Sequence, residues 1–280
     1  MLKKLFDFFV FTSLFIAVCA VLMVYQSTLL FNLHLSTRLI GFVFFGSVCS
    51  YNFHWFLTPP TVKQPSEKIR WNINYKYLHL ALFIIGLIGS AIFTYLLLDH
   101  WIWLILTAFL TFMYSAPKLS YPIFVNIRKI AIGKTIFLAF AWAHITSFLP
   151  IVIESAYLTT GEIWYVINRF FYLYAICIVF DRRDVEEDRK AGIKSLITYL
   201  NEKGIDRLFW GSMIAFLITT ALLLRYLLLY QVLALFIPGI ILAILYEPSK
   251  KNRSDYLYYF ILDGLMMLSA PILLLFTFVR

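Results

Sequence analysis

Residues 75–97, YKYLHLALFIIGLIGSAIFTYLL, contain a single formally charged side chain, Lys76, near their beginning. A helix of roughly 20 apolar residues crosses a bilayer core about 30 Å thick. Because lipid offers the backbone no hydrogen-bond partners, a segment that crosses it must satisfy its own backbone groups, as an α-helix does. This stretch therefore predicts a membrane-spanning helix.

Apolar runs of this kind make up most of the chain. Of the 280 residues, 62% are hydrophobic and 14% are charged, against about 45–50% and about 25% in soluble domains. No internal repeat or Pro/Gly/Ser-rich linker divides the sequence. We therefore predict an all-α, polytopic membrane bundle that forms one domain, residues 1–280. The nine predicted spans are residues 8–31, 38–57, 75–97, 99–115, 130–152, 163–181, 207–226, 229–246 and 256–279.

The distribution of basic residues predicts the orientation, because Lys and Arg in short loops remain in the cytoplasm. With nine spans and a cytoplasmic N-terminus, all but four of the 24 Lys and Arg residues lie on or beside cytoplasmic segments. The net charge of +9 is then explained by loops that flank spans and contact anionic lipid headgroups, so nucleic acid is not an expected partner. Short loops favour a prokaryotic inner membrane. The four exceptions are Arg38, Arg169, Arg225 and Arg280.

The highest density of charge follows the sixth predicted span, at residues 181–192, DRRDVEEDRKAG. Asp181, Asp184 and Asp188 are spaced i, i+3, i+7, which places three carboxylates on one face of a helix. Carboxylates at a membrane edge suit Mg²⁺, which often bridges protein oxygens and substrate phosphates. The alternative is a solvated loop in which these acids pair with neighbouring Arg and Lys residues.

Two segments resemble the UbiA family of membrane prenyltransferases. In that family, an Asp-rich motif D-x-x-D-x-x-x-D follows span six, with Gly and Ser or Thr nearby. Here Asp181, Asp184 and Asp188 are followed by Gly192 and Ser195. The loop after span four is also similar, with residues 114–118 reading YSAPK and 121–122 reading YP, followed by basic residues.

This resemblance implies a helical bundle around a lipid-facing cavity, with polar residues from the second and sixth spans at its cytoplasmic mouth. It implies transfer of a prenyl group from a prenyl diphosphate to an aromatic or other lipophilic acceptor. Asp181, Asp184 and Asp188 would be the catalytic, Mg²⁺-binding residues, and Mg²⁺ would neutralise the diphosphate leaving group. The residues expected to bind substrate are Asn52, Lys118, Arg128, Lys129, Lys134, Arg182 and Lys190.

The sequence departs from the family pattern after the second span. The family's first motif is approximately N-x-x-x-D-x-x-x-D, and residues 52–60 here read NFHWFLTPP. Asn52 matches, but Phe56 and Pro60 occupy both aspartate positions, and neither side chain binds a metal. In one explanation, Lys63, Lys68, Arg70 or Lys134 replaces a metal with fixed positive charge. In the other, the chain has lost catalysis and binds an isoprenoid lipid or a membrane partner.

Asp263, in the ninth predicted span, belongs to no recognised motif. Ionisable residues inside a membrane usually have a function or a hydrogen-bonded partner on another helix. A transporter is disfavoured, because the sequence has no internal repeats and its charges lie mainly at one membrane face.

Overall fold

The computed structural model describes residues 2–58, 66–115, 134–155, 157–190 and 195–278. Within these ranges all regular secondary structure is helical, which confirms the all-α prediction. Fourteen α-helices are named here in chain order. They are α1 (Leu2–Phe11), α2 (Leu14–Phe31), α3 (Thr37–Phe56), α4 (Glu67–Asn74), α5 (Lys76–Tyr95), α6 (Trp101–Ser115), α7 (Lys134–Ala143), α8 (Leu149–Glu154), α9 (Thr160–Lys190), α10 (Leu196–Tyr199), α11 (Glu202–Leu223), α12 (Leu229–Lys251), α13 (Asp263–Met267) and α14 (Ser269–Phe278).

The helices that are long and apolar enough to cross a bilayer make the chain an integral membrane protein. Among the described residues there are seven such spans, and an eighth if the pair 257–267 and 269–277, bent by 42°, is one span. The segment Leu98–Met113, which coincides with the predicted span 99–115, is a shorter apolar helix. A helical segment thus lies at each predicted position, while the count of nine crossings stays a prediction.

Several boundaries differ from the prediction, among them those of α9, α11 and α12, which extend beyond the predicted spans 163–181, 207–226 and 229–246. The first span begins at Leu14 instead of residue 8, because Ser13 has a φ of 65° and separates α1 from α2. A non-glycine residue in this left-handed region interrupts a helix. The loop after span two also contains the short helix α4, whose N-cap is Ser66: the Ser66 hydroxyl accepts a hydrogen bond from the backbone N–H of Ile69.

Small residues allow α3 and α5 to pack closely, as they commonly do between membrane helices. A Cβ atom at Gly86 would lie 2.5 Å from the backbone nitrogen of Cys49. One at Gly89 would lie 2.4 Å from the Phe45 ring. Any larger residue at these positions would force the two helices apart.

The longest helix is α9, with 31 residues. It is buried in the bundle around Tyr172, Leu173 and Ala175, each fully inaccessible to solvent. At 1.5 Å per residue it is longer than the bilayer core is thick, so its last turns extend beyond the apolar region. These turns carry the Asp-rich stretch.

Candidate active site

The three aspartates of the Asp-rich stretch lie on one face of a continuous helix, because α9 runs without a break through Lys190. Asp181 and Asp188 are buried, whereas the Asp184 side chain is 40% exposed. The middle carboxylate is therefore accessible from solvent, between two that the protein covers. The helical placement inferred from their spacing is observed.

Asp181 and Asp184 both contact neighbouring side chains. The Thr135 hydroxyl, in the first turn of α7, donates a hydrogen bond to Asp181 Oδ2. Arg183 Nε donates to Asp184 Oδ1 over 2.8 Å. The first contact joins α7 to α9, and the second holds a guanidinium beside the exposed carboxylate.

Arg182, predicted to bind substrate, points to a different side of α9. Its guanidinium is hydrogen-bonded to Glu202 and lies 3.8 Å from Asp206, both at the start of α11. Lys250 of α12 is 2.9 Å from the same Asp206 carboxylate. This ion-pair network fastens α9, α11 and α12 together, and a substrate role for Arg182 stays a prediction.

A buried cationic site lies beside the Asp-rich face. Lys68 of α4 is 3% exposed, and its ammonium lies 3.8 Å from the centre of the Tyr259 ring and 4.5 Å from that of Trp55. Aromatic faces attract cations in this geometry. Arg70, on the same helix, is exposed, so of these two sequence candidates for fixed positive charge only Lys68 enters the bundle.

Arg183 connects this site to the Asp-rich face. Its Nη2 donates a hydrogen bond to the Tyr259 hydroxyl over 2.7 Å, and its Nη1 lies 3.9 Å from Asp255 Oδ1. The other oxygen of Asp255 accepts a hydrogen bond from the backbone N–H of Lys68 over 2.8 Å. One contiguous set of contacts therefore runs from Asp184 through Arg183 and Tyr259 to Lys68. We call Lys68, Arg183, Asp255, Tyr259 and Asp263 the cation cluster.

Asp263 belongs to the cation cluster through its charge. Burial lowers the pKa of Lys68, the nearby carboxylates of Asp263 and Asp255 oppose that effect, and Arg183 reinforces it. The two carboxylates thus favour the charged form of a lysine that its apolar surroundings would neutralise. The acid that the sequence left without a partner is therefore close enough to Lys68 to favour its charged form.

Asn52, the retained residue of the first motif, is fully buried. Its amide nitrogen donates hydrogen bonds to the backbone oxygens of Thr12 and Val48, over 3.0 and 2.8 Å. Its side-chain oxygen lies 2.7 Å from His79 Nδ1, and the other ring nitrogen of His79 lies 2.9 Å from Asn72 Oδ1. These contacts connect α3 to the α1–α2 junction, α4 and α5. Binding of substrate by Asn52 stays a prediction.

The remaining predicted site residues lie at or beyond the edges of the described structure. Lys118, Arg128 and Lys129 are outside the described residues. Lys134 begins α7 and Lys190 ends α9, but only their backbone positions are described. Their predicted contacts with substrate are therefore untested.

The donor set at the Asp-rich face fits a cation that shares its ligands with a substrate. Within the described ranges, no three His, Cys, Asp or Glu side chains come close enough together to hold a metal by themselves. Mg²⁺, however, is commonly held through one or two carboxylates together with substrate phosphates. A solvent-accessible Asp184 one turn from Asp181 suits that second arrangement.

Sequence reasoning identified Lys68 and Asp263 separately, and it missed Asp255, Tyr259 and the contacts of Arg183. One signal was present in the sequence. A buried acid such as Asp263 and a buried cation such as Lys68 each require a partner of opposite charge. Without the fold, nothing in the sequence shows that residues nearly 200 positions apart meet.

Comparison with solved structures identifies the fold. The chain is similar to a UbiA homolog from Aeropyrum pernix K1, solved in its apo form, with a TM-score of 0.63, 14% sequence identity and 98% of each chain covered. At this identity the likeness establishes a UbiA-like fold. No family model matches the sequence, and a search of curated proteins finds no match.

Proposed function

We propose that this protein is a membrane prenyltransferase that transfers a prenyl group from a prenyl diphosphate to a lipophilic acceptor. The observation that carries the proposal is that the cation cluster adjoins the Asp-rich face. The cluster supplies positive charge on the side of the site where the family's first acidic motif would be expected to act. The UbiA-like fold supports the same reaction class, because the sequence motifs that predict this chemistry resemble those of the UbiA family.

In this proposal, the two sides of the site neutralise the diphosphate differently. Mg²⁺, held by Asp181, Asp184 and Asp188, would supply charge neutralisation to the leaving group. Lys68 and Arg183 would supply fixed positive charge and hydrogen bonds to the diphosphate oxygens. A cation that the fold already holds in place stabilises developing negative charge without reorganisation.

The transfer itself needs little covalent chemistry from the protein. The bond between the prenyl carbon and the diphosphate oxygen breaks, and its electron pair leaves with the diphosphate. The acceptor donates an electron pair to the same carbon and loses a proton to solvent. Tyr259 and Trp55, whose rings contact the Lys68 ammonium, would hold that cation in place beside the diphosphate.

The reaction is tested with purified protein in lipid nanodiscs, geranyl diphosphate, Mg²⁺ and a panel of phenolic, quinone-precursor and porphyrin acceptors. Release of inorganic pyrophosphate is measured together with the mass of each prenylated product. Acceptor-dependent release that disappears with Asp184→Asn supports the proposal. Release that is equal in this variant contradicts it.

A second function is favoured by the replacement of both first-motif aspartates by Phe56 and Pro60. In this alternative the protein binds an isoprenoid lipid or a membrane partner without catalysis. Binding of a prenyl chain that persists in Asp184→Asn, with no product from any acceptor, would support it.

The localisation that accompanies the proposal is a prokaryotic inner membrane with the Asp-rich end in the cytoplasm. Basic residues surround that end, as expected for cytoplasmic segments. A cysteine-accessibility assay with a reporter at exposed Glu186 tests this orientation: labelling only after the membrane is opened supports it, and labelling of intact cells contradicts it.

A further inference from the structure

A polar cavity of about 420 Å³ opens at the end of the bundle opposite the Asp-rich face. Arg38 and Phe56 lie near the two ends of α3, a helix of 20 residues, so about 30 Å of helix separates the cavity from the Asp-rich end. The cavity is lined by the α2–α3 connection, the α5–α6 connection and the end of α8. The lining residues are His34, Ser36, Thr37, Arg38, Leu96, Leu97, Asp99, His100, Ile153 and Glu154.

Three charged side chains line the cavity, and two of them, Arg38 and Asp99, are exposed. Arg38, Asp99 and Glu154 all line it, yet in the part of the chain that the structure describes none of them lies within 4.0 Å of an oppositely charged group. Arg38 is also one of the four basic residues outside the Asp-rich end of the bundle. A cation and two carboxylates that line one cavity without pairing leave both kinds of charge available to a ligand.

The two kinds of charge come from different elements. Arg38 lies in the first turn of α3, and Ser36, the N-cap, accepts a hydrogen bond only from the backbone N–H of Leu39. The N–H groups of Thr37 and Arg38 therefore remain without an intrahelical acceptor, as is general for the first turn of a helix. A guanidinium beside such a helix N-terminus favours a phosphate group. Asp99 and Glu154, on the other elements, favour a cation.

The surroundings place this cavity at the headgroup level of a membrane. Tyr95 and Trp101, beside the α5–α6 connection, are 73% and 56% exposed, and exposed Tyr and Trp residues mark the membrane interface. Exposed Leu98 and Ile102 adjoin them and offer an apolar surface to acyl chains. A polar cavity next to an apolar surface at this level suits a lipid, with its headgroup in the cavity and its acyl chains along these residues.

We propose that this cavity binds the phosphoethanolamine headgroup of a membrane lipid. The phosphate lies against Arg38 and the first turn of α3, and the primary ammonium lies against Asp99 and Glu154. Phosphatidylglycerol has no cation for the two carboxylates, and the trimethylated ammonium of phosphatidylcholine donates no N–H hydrogen bond to them. The site therefore distinguishes phosphatidylethanolamine from both lipids.

The proposal is tested by native mass spectrometry of the full-length protein released from nanodiscs with equal amounts of phosphatidylethanolamine, phosphatidylcholine and phosphatidylglycerol. We expect retained lipid to be mainly phosphatidylethanolamine. Loss of one charge-assisted hydrogen bond costs about 1.5–3 kcal/mol, which corresponds to a drop in affinity of about tenfold or more. Asp99→Asn and Arg38→Gln should each show this drop.

Arg225→Gln is the matched control, because Arg225 is another of the four exceptional basic residues but does not line the cavity. Retention of phosphatidylethanolamine by the control, together with its loss from Asp99→Asn, supports the proposal. Equal retention of all three lipids, or equal losses in control and cavity variants, overturns it. Binding of soluble phosphoethanolamine by isothermal calorimetry, without retained lipid, assigns the cavity to a soluble ligand and overturns the lipid assignment. Unfolding midpoints of each variant identify a folding defect.

Discussion

The ends of α3 and α9 lie beside side chains of opposite charge. At the end of α9, three carboxylates lie on one helical face, and the middle one is accessible to solvent. At the end of α3, Asn52 is occupied by protein contacts and Phe56 carries no charge. Near that end, positive charge is provided by Lys68 of α4, whose side chain is buried in the bundle.

This difference explains how the chain can lack one acidic motif and keep a charged site. A carboxylate needs a metal to bind a phosphate, whereas a lysine binds it directly, at the cost of burying an ammonium. Asp255 and Asp263 offset that cost here. The comparison predicts that variants on the α9 side remove metal-dependent binding, and that variants on the α4 side weaken binding without altering its dependence on metal.

The largest expected effect is at Asp184. Asp184→Asn removes the accessible carboxylate, and we expect the affinity for geranyl diphosphate in Mg²⁺ to fall at least about 100-fold, as for loss of about 2.7 kcal/mol. Calorimetry in detergent measures it. Glu186→Gln is the control, because Glu186 is an acid of the same helix whose side chain is 63% exposed. Equal affinities in the two variants would show that the Asp-rich face does not bind the diphosphate.

A smaller loss is expected at Lys68. Lys68→Gln removes one fixed cation, and we expect about a tenfold loss of affinity that is equal with and without Mg²⁺, from the worth of one charge-assisted hydrogen bond. Arg70→Gln is the control, because Arg70 is an exposed cation of the same helix. A loss that is as large in Arg70→Gln, or that depends on Mg²⁺, would contradict the separation of roles.

The pairing of Lys68 with Asp263 is tested by stability. Asp263→Asn removes a carboxylate that favours charge on Lys68, and we expect the free energy of unfolding to fall by about 1–2 kcal/mol, less than the about 3–5 kcal/mol lost when a direct buried ion pair is broken. Denaturant titration of Lys68→Met, of Asp263→Asn and of the double variant measures the coupling between the two residues. Strictly additive changes would mean that the two charges do not interact.

The smallest effect on diphosphate affinity is expected at Asn52. Asn52→Ala removes hydrogen bonds to two backbone oxygens and to His79, and at about 1 kcal/mol for each bond we expect a loss of stability of about 2–4 kcal/mol with little change in diphosphate affinity. Thermal unfolding and calorimetry on the same sample separate the two effects. A large loss of affinity at unchanged stability would instead support the predicted role of Asn52 in substrate binding.

The sequence predicted those features that depend on local pattern. Long apolar runs located the spans, and the i, i+3, i+7 spacing located Asp181, Asp184 and Asp188 on one helical face. The break at Ser13 was missed, because a single left-handed residue leaves no trace in hydrophobicity. The cation cluster was missed for another reason: it joins α4, α9 and the last span, and the contact between Lys68 and Asp255 is non-local.

The measurement that tests the central claim most directly is calorimetric binding of geranyl diphosphate to the wild-type protein in detergent, in Mg²⁺ and in a chelator. Binding in the chelator that strengthens at least about 100-fold in Mg²⁺ is predicted, because fixed cations and a metal would both contribute and the loss expected for Asp184→Asn is a loss of metal-dependent binding. Absence of binding under both conditions would contradict the claim and favour a non-catalytic protein that retains the fold.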